Sequence, residues 1–196
     1  MQIEVSPDFD VLCDLDGTLI DTAYANYLSY KRAFEAVTRQ RFNVQFNSKK
    51  RLNRERLKEI APYLTDYQYN NIISLKTNFY SDHLPETKVN ITLADFVRKC
   101  SGTNATVLVT CCRKQRAIET LQHHSLLGCF SRLICRETLS ASGLSNKYAK
   151  AIALLDADPF SVLICANEIA DIEKAKRAGV PKSNIISVGL GAKAGG

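Results

Sequence analysis

The chain has 196 residues, of which 45% are hydrophobic and 23% are charged, and its formal net charge is +6. This length is enough to bury a sizeable core, and the composition is ordinary for a globular protein. No apolar run approaches the roughly 18 residues of a membrane-spanning helix, and the first ten residues contain no apolar signal segment. We therefore expect a soluble, cytoplasmic protein without a membrane partner.

The cysteines and histidines do not predict a metal site or a disulfide framework. The seven cysteines are odd in number, form no CxxC pair and mostly lie in apolar runs, which is typical of buried, reduced thiols. The three histidines, two of them adjacent, do not have the spacing of metal ligands. Both patterns favour a reducing compartment such as the cytosol.

Five short apolar runs are predicted to form the strands of a parallel sheet. They are brief, rich in strand-forming residues and bounded by polar residues, Gly or Pro. Helix-length segments separate the last four runs, which is the pattern of right-handed βαβ units. The fold class is therefore α/β, with a Rossmann-like parallel sheet core. The five runs span residues 10–15, 106–111, 132–135, 161–166 and 184–189.

About 90 residues separate the first and second predicted strands, and their pattern is mostly helical. This is too long for a simple crossover connection. We expect residues 24–85 to form a small all-α domain, and residues 1–23 and 86–196 to form a discontinuous α/β core.

Two capping boxes, each a Thr followed three residues later by Gln or Asp, are predicted to begin helices between the first and second predicted strands. The first is Thr65 with Gln68, and the second is Thr92 with Asp95. An apolar stripe follows the second box, which predicts a helix that packs on the sheet.

The insert also contains a basic segment, residues 47–59, with six bases and two acids. On a helix ending before Pro62, Lys50, Arg54 and Lys58 would follow i, i+4, i+8 spacing along one face. The segment could be a solvated surface, or it could attract an anionic substrate or nucleic acid. Nucleic acid is the less favoured partner, because no aromatic residues for base stacking are interleaved with the bases.

Two carboxylates, Asp14 and Asp16, end the first predicted strand in the sequence DLDGT. Ligands of parallel sheets bind beyond the carboxyl ends of the strands, and the one-residue separation points both side chains the same way. The two carboxylates repel each other unless a cation lies between them or one is protonated. A divalent metal with oxygen ligands meets this requirement. Gly17 permits a tight turn, in which Thr18 can form a hydrogen bond.

Further polar residues follow the other predicted strands. Thr110 ends the second strand, and Lys147 lies at the start of the helix after the third. Asn167, Glu168 and Asp171 follow the fourth. We expect these groups to share one edge of the sheet with the two aspartates.

In this order, DLDGTLIDT, LVT, Lys147 and NEIAD resemble the motifs of the haloacid dehalogenase-like hydrolase superfamily over almost the whole chain. The similarity is to its phosphatase branch, with a helical cap between the first and second motifs, as in phosphoglycolate phosphatase-like and beta-phosphoglucomutase-like members. The resemblance implies a small phosphorylated substrate and an Mg²⁺ cofactor. An acid at position 16 favours phosphate esters over haloacids and phosphonates.

The resemblance also implies roles for individual residues. Asp14 would be the nucleophile that forms an aspartyl-phosphate, and Asp16 would be the general acid and base. The residues expected to bind phosphate are Thr110, Cys111 and Lys147. Those expected to hold the metal are Asp14, Asp16, Asn167, Glu168 and Asp171.

The sequence departs from the family pattern at Asn167, where an acid is typical, and at Cys111, where a small polar residue is common. An amide oxygen can bind Mg²⁺ but brings no charge, which is expected to weaken the site. The function that we expect is that of a Mg²⁺-dependent phosphomonoesterase. A phosphomutase and a catalytically weakened regulatory or binding protein remain open alternatives, and the sequence does not indicate the oligomeric state.

Overall fold

A computed structural model describes residues 5–48, 50–140, 146–187 and 189. The chain divides into two compact units, which we call the core unit, Met1–Asp21 with Val89–Gly196, and the helical unit, Thr22–Lys88. Two residues of the predicted strands and of the basic segment lie outside the described residues, as do residues 1–4, 141–145 and 190–196 of the predicted core. The two residues are Lys49 of the basic segment and Val188 of the last predicted strand.

The core unit is built on a parallel sheet. Within the described residues the sheet has five strands in the order β5-β4-β1-β6-β7, which places β1 in the centre. The other two strands, β2 and β3, pair with each other in a small separate sheet. The predicted strands and the α/β fold class are confirmed. The strands are β1 (Asp10–Cys13), β2 (Ile20–Asp21), β3 (Lys88–Val89), β4 (Thr106–Val109), β5 (Arg132–Ile134), β6 (Val162–Cys165) and β7 (Ile185–Ile186).

Helices precede, connect or follow the strands. In the described part of the chain they are α1 (Ala23–Thr38), α2 (Arg54–Ile60), α3 (Asp66–Phe79), α4 (Ile91–Cys100), α5 (Lys114–His123), α6 (Arg136–Ser140), α7 (Lys147–Leu155) and α8 (Ile169–Arg177). None of these helices is both long enough and apolar enough to cross a bilayer.

The sheet has a hydrophobic core on each face. Val11 of β1 packs in one cluster with residues of α4 and α5, such as Val97. Its neighbour Leu12 packs in the other cluster with residues of α7 and α8, such as Ala151 and Ala175. Adjacent strand residues point to opposite faces, so the core unit has three layers, with helices on both sides of the sheet.

The helical unit has its own core. Tyr30 and Phe34 of α1 pack with Leu57 of α2 and Ile72 of α3. The capping box that was predicted at the start of α3 is confirmed, because the Thr65 hydroxyl accepts from the backbone of Gln68 and the Gln68 side chain accepts in return.

The capping box predicted at Thr92 is wrong. Helix α4 begins at Ile91, and its N-cap is Asn90, whose side chain accepts from the Leu93 backbone at 3.3 Å. The Asn90 side chain also donates to the carbonyl of Thr18 at 3.3 Å. This second bond anchors the cap to the turn after β1, which gives Asn90 an advantage that local sequence does not reveal. The apolar stripe of the same helix is buried as predicted.

The predicted basic face of Lys50, Arg54 and Lys58 is also wrong. Helix α2 begins only at Arg54, because the Asn53 side chain caps it by accepting from the Arg56 backbone at 2.7 Å. Lys50 therefore lies in the loop before the helix and does not continue its i, i+4 spacing.

Candidate active site

The candidate site lies at the carboxyl edge of the central strands of the core unit. Asp14 directly follows β1, Thr110 directly follows β4, and Asn167 lies two residues beyond β6. Because β1 pairs in parallel with both β4 and β6, these strand ends are neighbours in the sheet. The topology thus places the motifs at one edge, as the sequence predicts.

Asp14 is held by two side chains. It is only 3% exposed. Its Oδ1 accepts from Lys147 Nζ at 2.7 Å, and its Oδ2 accepts from Thr18 Oγ1 at 3.1 Å. Lys147 is the first residue of α7, and Asn146 caps that helix. The capped helix start therefore fixes the ammonium beside the carboxylate.

Lys147 also joins Asp14 to Asp171. Its Nζ donates to Asp171 Oδ2 at 2.6 Å, while Lys174 Nζ donates to Asp171 Oδ1 at 2.9 Å. Lys147 and Asp171 are both buried, whereas the Lys174 side chain is 39% exposed. The result is a buried row of three charges, Asp14, Lys147 and Asp171, with Lys174 at its outer end.

Burial and charge set the ionisation of this row. Burial raises the pKa of Asp14 to about 6, although Lys147 acts in the opposite direction. Burial would lower the pKa of Lys147, but its attraction to Asp14, Tyr148 and Asp171 outweighs burial and raises it well above the ordinary value. Burial alone would raise the pKa of Asp171, yet Lys147 and Lys174 lower it. Lys147 therefore remains a cation between two carboxyl groups.

Asp16 has a separate cation. Its Oδ1 accepts from Arg116 Nη2 at 2.6 Å, and both side chains are 13% exposed. Arg116 is the third residue of α5. The repulsion between Asp14 and Asp16 is thus offset by two protein cations, one on each carboxylate.

The turn after β1 connects Asp14 to the fourth motif. Gly17 has φ of 77°, and a Cβ at this position would lie 3.3 Å from Glu168 Oε1, so the turn suits glycine both by conformation and by space. The Thr18 hydroxyl accepts from the backbone of Asn167 at 3.2 Å while donating to Asp14. The expectation that Thr18 bonds within this turn is confirmed.

The side chain of Asn167 is engaged on both sides. Its Oδ1 accepts from Ser187 Oγ at 3.2 Å, and its Nδ2 lies 3.5 Å from the Gly17 carbonyl. Glu168 is the N-cap residue of α8. The amide nitrogen of Asn167 and the carboxylate of Glu168 are therefore both next to the turn that holds Asp14, while the amide oxygen of Asn167 accepts from Ser187.

The loop after β4 contains two of the residues that were expected to bind phosphate, Thr110 and Cys111. The buried Thr110 hydroxyl accepts from the backbone of Cys112 at 3.2 Å, and the Cys111 carbonyl accepts from Arg136 Nε at 2.9 Å. Cys111 is exposed, whereas Cys112 is buried, and burial raises the pKa of the Cys112 thiol to about 12. All seven cysteines lie in described ranges and are free.

The oxygen donors of the site suit a hard divalent cation. Among the residues that the structure describes, no group of three or more His, Cys, Asp or Glu side chains could hold a metal ion. Mg²⁺, however, is usually bound by only one or two carboxylates, together with waters and substrate phosphates. Asp14 and Asp171, with the amide oxygen of Asn167, fit that donor set.

Direct contacts therefore join Asp14, Lys147 and Asp171, and Thr18 links Asp14 to Asn167. The Thr110 hydroxyl bonds within its own loop, and the Cys111 carbonyl accepts from Arg136. Sequence reasoning missed Arg116, although its place in the first turn of the helix after Thr110 is a signal that could have found it.

Comparison with protein families identifies the family of the chain. The model of the haloacid dehalogenase-like hydrolase family matches residues 11–185. This range includes every predicted site residue, and it covers most of the chain. No curated protein matches the sequence.

Solved structures with the same fold come from several bacteria. A predicted phosphoglycolate phosphatase from Haemophilus somnus 129PT is 16% identical, with a TM-score of 0.71 over 92% of this chain and 85% of that one. A haloacid dehalogenase-like family hydrolase from Streptococcus pneumoniae is 16% identical, with a TM-score of 0.70 over 96% and 90%. A candidate beta-phosphoglucomutase from Thermotoga maritima is 20% identical, with a TM-score of 0.68 over 95% and 88%. At these identities the similarity establishes the fold alone.

Proposed function

Because the chain belongs to the haloacid dehalogenase-like hydrolase family, we propose that it is a Mg²⁺-dependent phosphatase that hydrolyses a small phosphate monoester through an aspartyl-phosphate on Asp14. The observation that carries this proposal is the fixed position of the Asp14 carboxylate between Lys147 Nζ and Thr18 Oγ1. Names of structural neighbours, among them a predicted phosphoglycolate phosphatase and a candidate beta-phosphoglucomutase, support a small phosphorylated substrate.

In this proposal Asp14 attacks phosphorus. Each of its oxygens accepts one described hydrogen bond, and a carboxylate has about four acceptor positions in all, so lone pairs remain for the attack. The Lys147 ammonium offsets the repulsion between the carboxylate and the phosphate dianion. Formation and breakdown of the covalent intermediate then divide one difficult step into two easier ones.

Asp16 is the proposed general acid and base. It would protonate the leaving oxygen and later accept a proton from the attacking water, and such transfers typically contribute about 10² to 10⁴-fold. The 2.6 Å contact with Arg116 restricts the orientation of this carboxylate. We therefore assign Arg116 as a positioning residue for Asp16.

Asp14, Asp171, Asn167 and the main-chain carbonyl of Asp16 are the proposed Mg²⁺ ligands, with Glu168 as a further oxygen donor nearby. When bound, Mg²⁺ supplies positive charge that stabilises the transferred phosphoryl group. The proposed phosphate-binding groups are the Lys147 ammonium, the Thr110 hydroxyl and the loop at Cys111.

Two alternatives have specific support. A phosphomutase would use the same residues, and one structural neighbour is a candidate beta-phosphoglucomutase. A regulatory or binding protein with a weakened metal site is favoured by Asn167, because its neutral side chain replaces a charged ligand.

A panel of phosphorylated metabolites and an aryl phosphate, each with Mg²⁺ and with EDTA, separates the three. Release of inorganic phosphate that requires Mg²⁺ supports the phosphatase. Conversion of a sugar phosphate into its isomer, dependent on a bisphosphate activator, would show a mutase. Binding without turnover of any panel member would favour the regulatory protein and contradict the proposed function.

A further inference from the structure

The helical unit contains a pocket that its basic segment and aromatic side chains line together. The pocket has a volume of about 220 Å³ and lies between the start of α1, the loop before α2 and the first turn of α2. Two aromatic residues, Tyr27 and Phe46, and three bases, Lys50, Arg51 and Arg56, are among its lining residues. At about 30 Å³ per water molecule, its volume is on the order of seven waters.

Hydrogen bonds from the helical unit fix the loop that forms one wall. Tyr27 donates its hydroxyl proton to the Val44 carbonyl at 2.8 Å. Asn26 donates to the Leu52 carbonyl at 2.6 Å, and this asparagine is buried. These bonds tie two points of the loop to α1. The pocket is therefore formed by the fold itself and does not depend on a ligand to order it.

One wall of the pocket is aromatic. The ring centroids of Phe46 and Tyr27 are 5.5 Å apart, and the angle between the two ring planes is 58°. Phe46 also contacts Tyr24 at 5.0 Å in an edge-to-face arrangement, yet it remains 39% exposed. An aromatic ligand can extend this cluster by stacking or edge-to-face contact, which is worth about 0.5 to 1.5 kcal/mol beyond the area buried.

The basic side chains give the pocket a positive charge. The lining residues in the described ranges include three cationic side chains and no acidic one. Arg51 Nη2 donates to Thr22 Oγ1 at 3.3 Å, and Arg56 Nη1 contacts Glu59 at 2.8 Å in an exposed pair. A guanidinium has five donors in a planar fork, a geometry that suits the binding of an anionic group. Three like charges around one small pocket favour an anionic ligand.

We propose that this pocket binds a small anion that carries an aromatic ring, with the ring against Phe46 and Tyr27 and the anionic group toward Lys50, Arg51 and Arg56. The volume of this pocket is smaller than the roughly 300 to 1,000 Å³ of sites for drug-sized ligands. The pocket is therefore suited to a ligand with a single ring system. The site lies wholly within the helical unit, and its occupancy does not require the proposed phosphatase reaction. It also gives the basic segment a role that the sequence left open.

Phenylphosphonate is a suitable probe, because its carbon–phosphorus bond is not a phosphate ester and the probe remains intact. Binding to the full-length protein is measured by calorimetry in EDTA, so that turnover plays no part. Methylphosphonate, which lacks the ring, and benzyl alcohol, which lacks the charge, are the comparison ligands. We expect methylphosphonate to bind about two- to thirteenfold more weakly, from the stacking energy above, and benzyl alcohol to give no measurable heat.

Arg56→Gln and Arg54→Gln form a matched pair on the same helix. Arg56 lines the pocket and Arg54 does not, whereas both changes remove one arginine charge. A hydrogen bond to a charged group contributes about 1.5 to 3 kcal/mol, so Arg56→Gln is expected to weaken phenylphosphonate binding about tenfold or more. Arg54→Gln is expected to change it less than twofold.

Phe46→Leu tests the ring separately. It should weaken phenylphosphonate binding and leave methylphosphonate binding unchanged. The Arg56–Glu59 pair is exposed, so Arg56→Gln is expected to fold, and Lys50→Gln is the second charge variant if it does not. No binding of phenylphosphonate, equal affinity for the two phosphonates, or equal losses in Arg54→Gln and Arg56→Gln would each overturn the proposal.

Discussion

Replacing Lys147 with methionine is expected to destabilise the folded protein strongly, because the ammonium compensates two buried acids. Asp14, Lys147 and Asp171 are 3%, 5% and 7% exposed. Removing one partner of such a buried pair typically costs about 3 to 5 kcal/mol, since a buried charge is left without compensation. For a chain of this length, 1 kcal/mol changes Tm by about 2 to 4 °C, so the expected loss is about 6 to 20 °C.

Lys174→Met is the matched control. Lys174 contacts the other oxygen of Asp171 at 2.9 Å, but its side chain is 39% exposed. Pairs of this kind contribute about 0 to 1 kcal/mol, so a loss of at most a few degrees is expected. Thermal unfolding of both variants in EDTA, followed by circular dichroism, makes the comparison.

The deficit of Lys147→Met should also depend on pH. Without Lys147, the pKa values of Asp14 and Asp171 in the folded state rise, and that of Asp14 is already about 6 in the wild type. A carboxyl group whose folded pKa exceeds its unfolded pKa destabilises the folded state at neutral pH, and this cost is lost as the pH falls through the folded pKa. The deficit should therefore be smaller at about pH 5 than at about pH 8. If Lys147→Met loses no more stability than Lys174→Met, the buried row of charges is not as we describe it.

Three further changes test other parts of the account. Arg116→Gln should lower kcat for alkyl phosphates by about tenfold, because the acid that Arg116 positions contributes about 10² to 10⁴-fold. The loss should be smaller for aryl phosphates, whose good leaving groups need less protonation, and equal losses for both substrate types would contradict the positioning role. Asn167→Asp should lower the Mg²⁺ concentration for half-maximal activity, because it adds a charged oxygen ligand; an unchanged or higher value would show that residue 167 is not a ligand. Asn90→Ala should lower the free energy of unfolding, measured by chemical denaturation, by about 0.5 to 2 kcal/mol, because Asn90 is the cap of α4. Thr92→Ala should lower it clearly less, and the reverse order would show that Thr92 is the cap.

The sequence was sufficient for the sheet and for the edge at which its motifs meet. Short apolar runs separated by helical segments have few arrangements other than a parallel sheet, and the carboxyl ends of its central strands must then be neighbours. For this reason Asp14 and Lys147, 133 residues apart, could be expected to lie close together.

Local patterns were insufficient where a long-range contact decides between similar residues. Asn90 and Thr92 are both good caps, and the bond from Asn90 to the Thr18 carbonyl, 72 residues away, favours the first. Arg116 has the sequence pattern of a solvated arginine on an amphipathic helix. Its place in the first turn of the helix after β4 indicates that it lies near the carboxyl edge of the sheet, but its pairing with Asp16 depends on how α5 follows β4.

The most direct test of the central claim is whether Asp14 becomes phosphorylated during turnover. The protein is mixed with an aryl phosphate and Mg²⁺, quenched in acid within the first turnover, digested and mapped by mass spectrometry. We predict the mass of one phosphoryl group on the peptide containing Asp14, and its loss in Asp14→Asn together with turnover. Hydrolysis by Asp14→Asn at the wild-type rate, or a phosphoryl group on another residue, would contradict the assignment of Asp14 as the nucleophile.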